Sequence, residues 1–98
     1  MLDVATGTGD LAIEALRLRP EKITGIDISS RMLEEGLRKI NDMGYGGTIE
    51  LLRGDASATG FSDGTFDVVM SAFGVRNFEN TLTGLTEMCR VVRPGGMI

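Results

Sequence analysis

The feature that most constrains this chain is a glycine-rich turn set between an apolar strand and a helix. Leu2-Asp3-Val4-Ala5 is short and apolar, Thr6-Gly7-Thr8-Gly9 is a turn, and a helix is predicted over 10–18. Leu11, Ala12, Ala15 and Leu16 share one face of that helix, Asp10 suits its N-terminal dipole, and Pro20 lies just beyond its end. Strand, glycine turn and helix in that order open a β-α-β unit.

The rest of the chain repeats the alternation. Lys22–Ile28 reads as a buried strand. Ser29 or Ser30 caps a second helix in which Leu33, Gly36, Leu37 and Ile40 fall at i, i+3, i+4 and i+7, and Gly44 stops it. Thr48–Arg53 is a third strand, Ala56–Gly64 a loop rich in Ser, Thr and Gly, and Phe66–Ala72 a fourth strand. A third helix is predicted at about Glu79–Val92, with Leu82, Leu85, Cys89 and Val92 on its apolar stripe. Pro94-Gly95-Gly96 then turns into a fifth strand. The order β-α-β-α-β-β-α-β, with near-continuous apolar strands, predicts a Rossmann-like, doubly wound α/β domain over residues 1–98. Its mostly parallel sheet should bind a ligand at the C-terminal strand ends, at the switch point of strand order. Both ends fall within strand-like stretches, Met1-Leu2-Asp3-Val4 and Gly96-Met97-Ile98, so the chain is expected to be a truncated part of a longer protein.

Composition narrows the function. Glycine numbers 14 of 98, about twice the usual ~7%, so turns or backbone close to a ligand must use it. With 10 Lys+Arg against 14 Asp+Glu and no basic block, nucleic acid is not an expected partner. The absence of His removes His-based triads and most zinc sites, and no metal is expected. A single Cys forms no internal disulfide, which points to a reducing, cytoplasmic compartment. No apolar run approaches the ~20 residues of a membrane span, and no signal peptide is expected.

Gly7-Thr8-Gly9-Asp10-Leu11-Ala12 fits the pattern G-x-G-x-x-G/A, and Asp27 stands twenty residues beyond Gly7 at the end of the second strand. That is the fingerprint of a site for an adenosine-bearing ligand, the acid gripping the ribose hydroxyls. It fits a nicotinamide dinucleotide and S-adenosylmethionine alike. Charge favours the second: Asp3, Asp10, Asp27 and Asp55 gather at strand ends and the adjoining turn, with no Lys or Arg in the loop itself. A pyrophosphate at that helix N-terminus would meet Asp10, whereas a sulfonium and an α-ammonium favour nearby carboxylates. Gly54-Asp55-Ala56 ends the third strand, where a short polar side chain and exposed amides can read an adenine edge. Asp67 opens the fourth strand and serves to anchor a neighbouring turn. Plainer readings stand beside these: a ligand-free turn for Gly7 and Gly9, and surface or capping roles for Asp27 and Asp55.

With those residues in place, the sequence resembles the class I S-adenosylmethionine-dependent methyltransferases. More narrowly, it resembles the ubiquinone/menaquinone biosynthesis C-methyltransferase family. The resemblance rests on Leu2-Asp3-Val4-Ala5-Thr6-Gly7-Thr8-Gly9-Asp10-Leu11, on Thr24-Gly25-Ile26-Asp27-Ile28-Ser29 with Met32-Leu33, and on Phe66-Asp67. Arg90-Val91-Val92-Arg93-Pro94-Gly95-Gly96 adds to it, and Ala72-Phe73-Gly74-Val75-Arg76-Asn77-Phe78 is its most specific stretch. It implies that Thr8, with Gly7 and Gly9, lines the methionine part of the donor near Asp3. It also implies Asp27 and Ile28 at the ribose, Asp55 and Ala56 beside the adenine, and Ser71 and Ala72 at the end of the fourth strand. The family commonly carries Ser at the position of Ala72, and Leu-Pro-Phe-Pro where this chain has Thr59-Gly60-Phe61-Ser62.

The implied reaction moves a methyl group from sulfonium to a ring carbon of a polyprenylated naphthalene- or benzene-diol. Such an ionised ring is itself a carbon nucleophile, so the protein mainly aligns the reactants. Arg76 and Asn77 are candidates for holding the acceptor or steadying its phenolate, or else form a structural pair that fixes the strand-to-helix turn. No general base stands out. Cys89, Met32, Met70 and Met88 are read as packing, and Glu34, Glu35, Arg38 and Lys39 as a solvated helix face with i, i+4 pairs. The lipid-soluble quinol precursor implies work at the inner membrane face, by peripheral contact, and a homo-oligomer is compatible with this. Other readings are a methyltransferase acting on another small molecule, an NAD-binding oxidoreductase, and a donor-binding module without turnover.

Overall fold

In the computed structural model, residues 1–71 and 81–97 are described. Among these residues, five strands and three α-helices follow one another. They are β1 (Leu2–Val4), α1 (Asp10–Glu14), β2 (Ile23–Asp27), α2 (Ser30–Asp42), β3 (Ile49–Arg53), β4 (Phe66–Met70), α3 (Thr81–Val91) and β5 (Val92–Met97). The strands form one parallel sheet in the order β3-β2-β1-β4-β5. The chain moves outward from β1 to β3, then crosses to the other side of β1, so the order reverses between β1 and β4. This is the expected doubly wound fold, and it puts the turn after β1 at the switch point.

Strand alternation divides the core into two layers. Leu2, Val4, Ile26, Phe66 and Val69 pack with Met88 and Val91 of α3 on one face. Ile23, Ile49 and Leu51 pack with Ala12, Ala15, Leu33 and Ile40 on the face covered by α1 and α2. Burying side chains such as Ile23, Ile26 and Ile40 almost completely stabilises the fold by ~2–3 kcal/mol each.

Local chemistry sets most element ends. Ser29 caps α2 through its hydroxyl, which accepts from the Met32 amide at 3.3 Å. Past α2, the Gly44 amide donates to the Asn41 carbonyl at 3.1 Å with Gly44 at φ +82°. The predicted 10–18 helix is α-helical only to Glu14 and tightens into a 3-10 turn over Ala15–Leu18. Arg19 stops it at φ +52°, since a residue before proline is kept out of the right-handed helical region. Pro94-Gly95-Gly96 lies inside β5 rather than ahead of it. There it forms an irregularity between the pairs Phe66–Val92 and Val68–Met97.

Three expectations about α2 and α3 are corrected. On α3 the buried residues are Gly84, Glu87, Met88 and Val91, while Leu82, Leu85 and Cys89 face outward. Apolar residues occupy both faces of this helix, so periodicity alone leaves its phase ambiguous. Leu37 and Met32 of α2 are exposed, and only Leu33, Gly36 and Ile40 of its stripe are buried. Glu34, Glu35 and Arg38 are exposed and form no ion pairs with one another or with Lys39 among the described residues. Ala72, Phe73, Arg76, Asn77, Phe78 and Glu79 lie outside the described residues.

Candidate functional site

The turn after β1 is built from left-handed backbone. Ala5, Gly7 and Gly9 stand at φ +58°, +59° and +85°, and Gly9 is the N-cap residue of α1. The Thr6 amide donates to the Ile26 carbonyl at 2.8 Å and the Gly9 amide to the Thr6 carbonyl at 2.9 Å. Behind the turn, α2 comes unusually close. A Cβ on Gly36 would lie 2.9 Å from the Thr8 carbonyl oxygen and 2.8 Å from Leu51 Cδ1, so only glycine fits there. Part of the glycine surplus is thus spent on bringing a helix against the turn.

Asp27 joins β1 to β2 at their C-terminal ends. One carboxylate oxygen accepts from the Gly7 amide at 2.8 Å and the other from the Ser29 amide at 2.9 Å. Each oxygen keeps a further lone pair, so a half-buried, oriented carboxylate still has room to accept from a diol. The Gly54 amide donates to the Asp27 carbonyl at 3.0 Å, which brings the end of β3 to the same point. Asp55 is exposed; its side chain accepts from the Ser57 amide at 2.8 Å and its carbonyl from the Ala58 amide at 3.0 Å. Ala56 packs on the core cluster under this turn, while Ile28 presents an apolar side chain at 65% exposure beside Asp27.

Asp3 is the most unusual group. It is fully buried, and only one of its carboxylate oxygens is paired, with the Thr6 hydroxyl at 2.8 Å. Burial raises its pKa to about 6, eased in part by the Thr6 hydroxyl, raised further by the charge of Asp27 and eased slightly by the Ala12 amide. The other oxygen, Oδ1, has no partner in full hydrogen-bonding geometry, and neither has the buried Ser71 hydroxyl. Asp3 pairs in register with Met70, the residue before Ser71. The buried polar side-chain atoms left unpartnered among the described residues therefore lie on β1 and at the residue directly after β4, the two strands that border the switch point. Buried polar groups are nearly always satisfied, so such an orphan marks where a ligand or water belongs.

The sequence does not reveal the lysine that reaches this turn. Lys39 of α2 donates to the Thr8 hydroxyl at 3.3 Å and pairs with the Asp10 carboxylate. The turn itself lacks Lys and Arg, but in space Asp10 is neutralised, so its repulsion of a pyrophosphate is offset. The preference for a cationic ligand rests on Asp3 and Asp27. Lys39 therefore does not belong to a purely solvated face, as its spacing suggests.

A second polar network stands on the opposite face of the sheet. Glu87 of α3 is 8% exposed, and its Oε2 accepts from the Thr59 amide and hydroxyl, both at 2.7 Å. Arg90 donates to Glu87 through Nε at 2.7 Å, to Asp63 at 2.6 Å and to the Phe61 carbonyl at 2.6 Å. Hydrogen bonds from Arg90 and then Thr59 hold the Glu87 carboxyl down at about 2, against the opposing effect of burial. Asp67 pairs with Arg93 at 2.6 Å, which ties the start of β4 to β5 as an anchoring residue should.

The family model described as the ubiE/COQ5 methyltransferase family matches residues 1–98. A demethylmenaquinone methyltransferase from Bacteroides fragilis is 45% identical over 97 residues, covering 98% of this chain and 40% of that protein. The ubiquinone/menaquinone biosynthesis C-methyltransferase UbiE of Geobacter sulfurreducens is 45% identical over 98 residues, covering 98% of this chain and 38% of that one. The chain thus spans about two fifths of the length of these relatives. Among solved structures, a putative S-adenosyl-L-methionine-dependent methyltransferase from Methanococcus maripaludis superposes with a TM-score of 0.88 at 29% identity, over 97% of this chain and 43% of that one. The [4+2]-cyclase SpnF superposes with a TM-score of 0.90 at 26% identity, over 98% of this chain and 36% of its own. The same backbone therefore serves a protein named for cyclisation, and the likeness of fold does not by itself assign methyl transfer.

Proposed function

This chain belongs to the ubiE/COQ5 methyltransferase family, and from that premise we propose that it carries the donor half of an S-adenosylmethionine-dependent C-methyltransferase of quinone biosynthesis. The observation that carries the donor site is the unpartnered oxygen of buried Asp3, set at the switch point beside the glycine turn. A buried carboxylate with a free acceptor fits a cationic ligand, and the ammonium of an amino acid supplies both the charge and the donors. S-adenosylmethionine supplies a methyl group on cationic sulfur, which departs as a neutral thioether when the methyl joins an electron-rich ring carbon, and the ring then loses a proton.

The residues of this chain divide the remaining work. Asp3, Gly7, Thr8 and Gly9 take the amino-acid end, together with Ser71, which directly follows β4, and Ala72. Asp27 holds the ribose diol, steadied by the Gly7 and Ser29 amides. Ile28, Asp55 and Ala56 flank the adenine. The names of the relatives support a polyprenylated demethylmenaquinol-type ring as acceptor, with Arg76 and Asn77 positioning it. Because that acceptor is lipid-soluble, we place the work at the inner membrane face, reached from the cytoplasm; no helix among the described residues is long and apolar enough to cross a membrane.

Thermal melts of the chain alone, with S-adenosylhomocysteine and with NAD test the donor reading. At a hundredfold excess over Kd a bound ligand stabilises by ~2.7 kcal/mol, so S-adenosylhomocysteine should raise Tm clearly and NAD should not. A rise with NAD alone would replace this reading by that of an oxidoreductase.

A further inference from the structure

We propose that Glu87 and Arg90 of α3 act through Thr59 as a positioning latch for the base-reading side of the donor site. The latch would set discrimination between purine bases rather than affinity for the whole donor. This rests on the assignment of Asp55 and Ala56 to the adenine. The connection from β3 to β4 runs from Gly54 to Thr65 with one isolated bridge, Asp55–Ala58, as its regular structure. Within it, Asp55 holds only its immediate neighbours, through the Ser57 and Ala58 amides. At the β3 end the Gly54 amide ties it to Asp27.

The far end is tied to two residues of α3. The Thr59 amide and hydroxyl meet Glu87, the Phe61 carbonyl and the Asp63 carboxylate meet Arg90, and the Gly64 amide donates to the Arg90 carbonyl at 2.9 Å. The Phe61 ring adds an edge-on contact with Phe66, with centroids 4.9 Å apart. Glu87 is buried and already accepts four hydrogen bonds, two from Thr59 and two from Arg90, so it is a positioning residue and not a ligand contact. Thr59 follows directly on Ala58, whose amide closes the Asp55 turn. Loosening Thr59 therefore frees the Asp55-Ala56 wall while leaving Asp3, Asp27 and the glycine turn in place.

The test compares the affinities of the full 98-residue chain for S-adenosylhomocysteine and S-inosylhomocysteine by titration calorimetry. The second probe replaces the 6-amino group of the purine by an oxo group. The wild-type chain should prefer the adenine compound at least tenfold. Glu87→Gln should cut that preference below threefold and Thr59→Val should cut it partway, while Thr59→Ser, which keeps the hydroxyl, should retain it. General loosening would weaken both probes alike and leave the ratio unchanged. A folded Glu87→Gln or Thr59→Val chain with the wild-type ratio overturns the latch. If Glu87→Gln does not melt cooperatively, Thr59→Val decides, since it removes only the hydroxyl. Asp55→Asn keeps the assignment separate: a wild-type ratio in that variant, or no preference in the wild type, overturns the placement of Asp55 at the base.

Discussion

Replacing Asp3 by Asn should make this chain more stable and worse at binding. Asp3 is fully buried with one unpaired oxygen, and its pKa is raised from 3.8 to about 6. For an acid whose folded pKa lies above its unfolded value, stability is fullest below the unfolded pKa and falls as pH rises through the folded one. The loss therefore develops between pH 3.8 and about 6 and is complete above that. At about 1.4 kcal/mol per pKa unit, the ionised carboxylate costs the fold ~3 kcal/mol at neutral pH. Asp3→Asn carries no charge at any pH, so it should gain ~3 kcal/mol at pH 7.5 and almost nothing at pH 3.5. For a domain of this size that gain corresponds to roughly 10–20 °C in Tm. Melts of both chains across this range measure it, and the difference between them isolates Asp3 from the other carboxylates. The same variant should bind S-adenosylhomocysteine more weakly, and the affinity of the wild type should fall as pH drops below about 6. An equal effect of Asp3→Asn at both pH values, or a loss of stability at pH 7.5, would refute the reasoning.

Gly36→Ala should destabilise by ~1–3 kcal/mol in denaturant melts despite the better helix propensity of alanine, because its Cβ meets the Thr8 carbonyl and Leu51. Glu87 has a depressed pKa, so its contribution to stability is present above pH 4.5 and lost as pH falls towards about 2. The acid limb of the Tm profile should therefore flatten in Glu87→Gln. Cys89 is exposed and should react with a thiol reagent in the native state as fast as in denaturant; strong native protection would return it to the core.

What the sequence made legible is what local chemistry controls. The Ser29 cap, the Gly44 stop and the turn at Gly7 and Gly9 each depend on neighbours a few residues away, and each is found in place. The doubly wound class follows from the alternation of elements and general rules of crossover, so it too was within reach, whereas the strand order β3-β2-β1-β4-β5 was not predicted. Contacts between distant polar residues were not. Lys39 meets Asp10 across 29 positions and Thr59 meets Glu87 across 28, and neither pairing leaves a periodic trace. The carboxylates illustrate the same limit. Asp3 and Asp10 look alike in the sequence, yet one is fully buried with an orphaned oxygen and the other is exposed and paired with lysine. The phase of α3 failed because Glu87, a charged residue, occupies its buried face.

The contact between β1 and β4 has a consequence for how the molecule comes apart. The three strands β3, β2 and β1 are built from the first 53 residues, β4 and β5 from residues 66–97, and the two blocks join in register at Leu2–Val69 and Asp3–Met70. Asp3 and Asp27 belong to one block and Ser71 to the other, so the proposed ligand bridges a seam. Amide exchange in β1 and β4 should report opening along that seam before either block melts. A ligand that touches both sides acts as mortar between them, slowing exchange at the joint more than in the bricks.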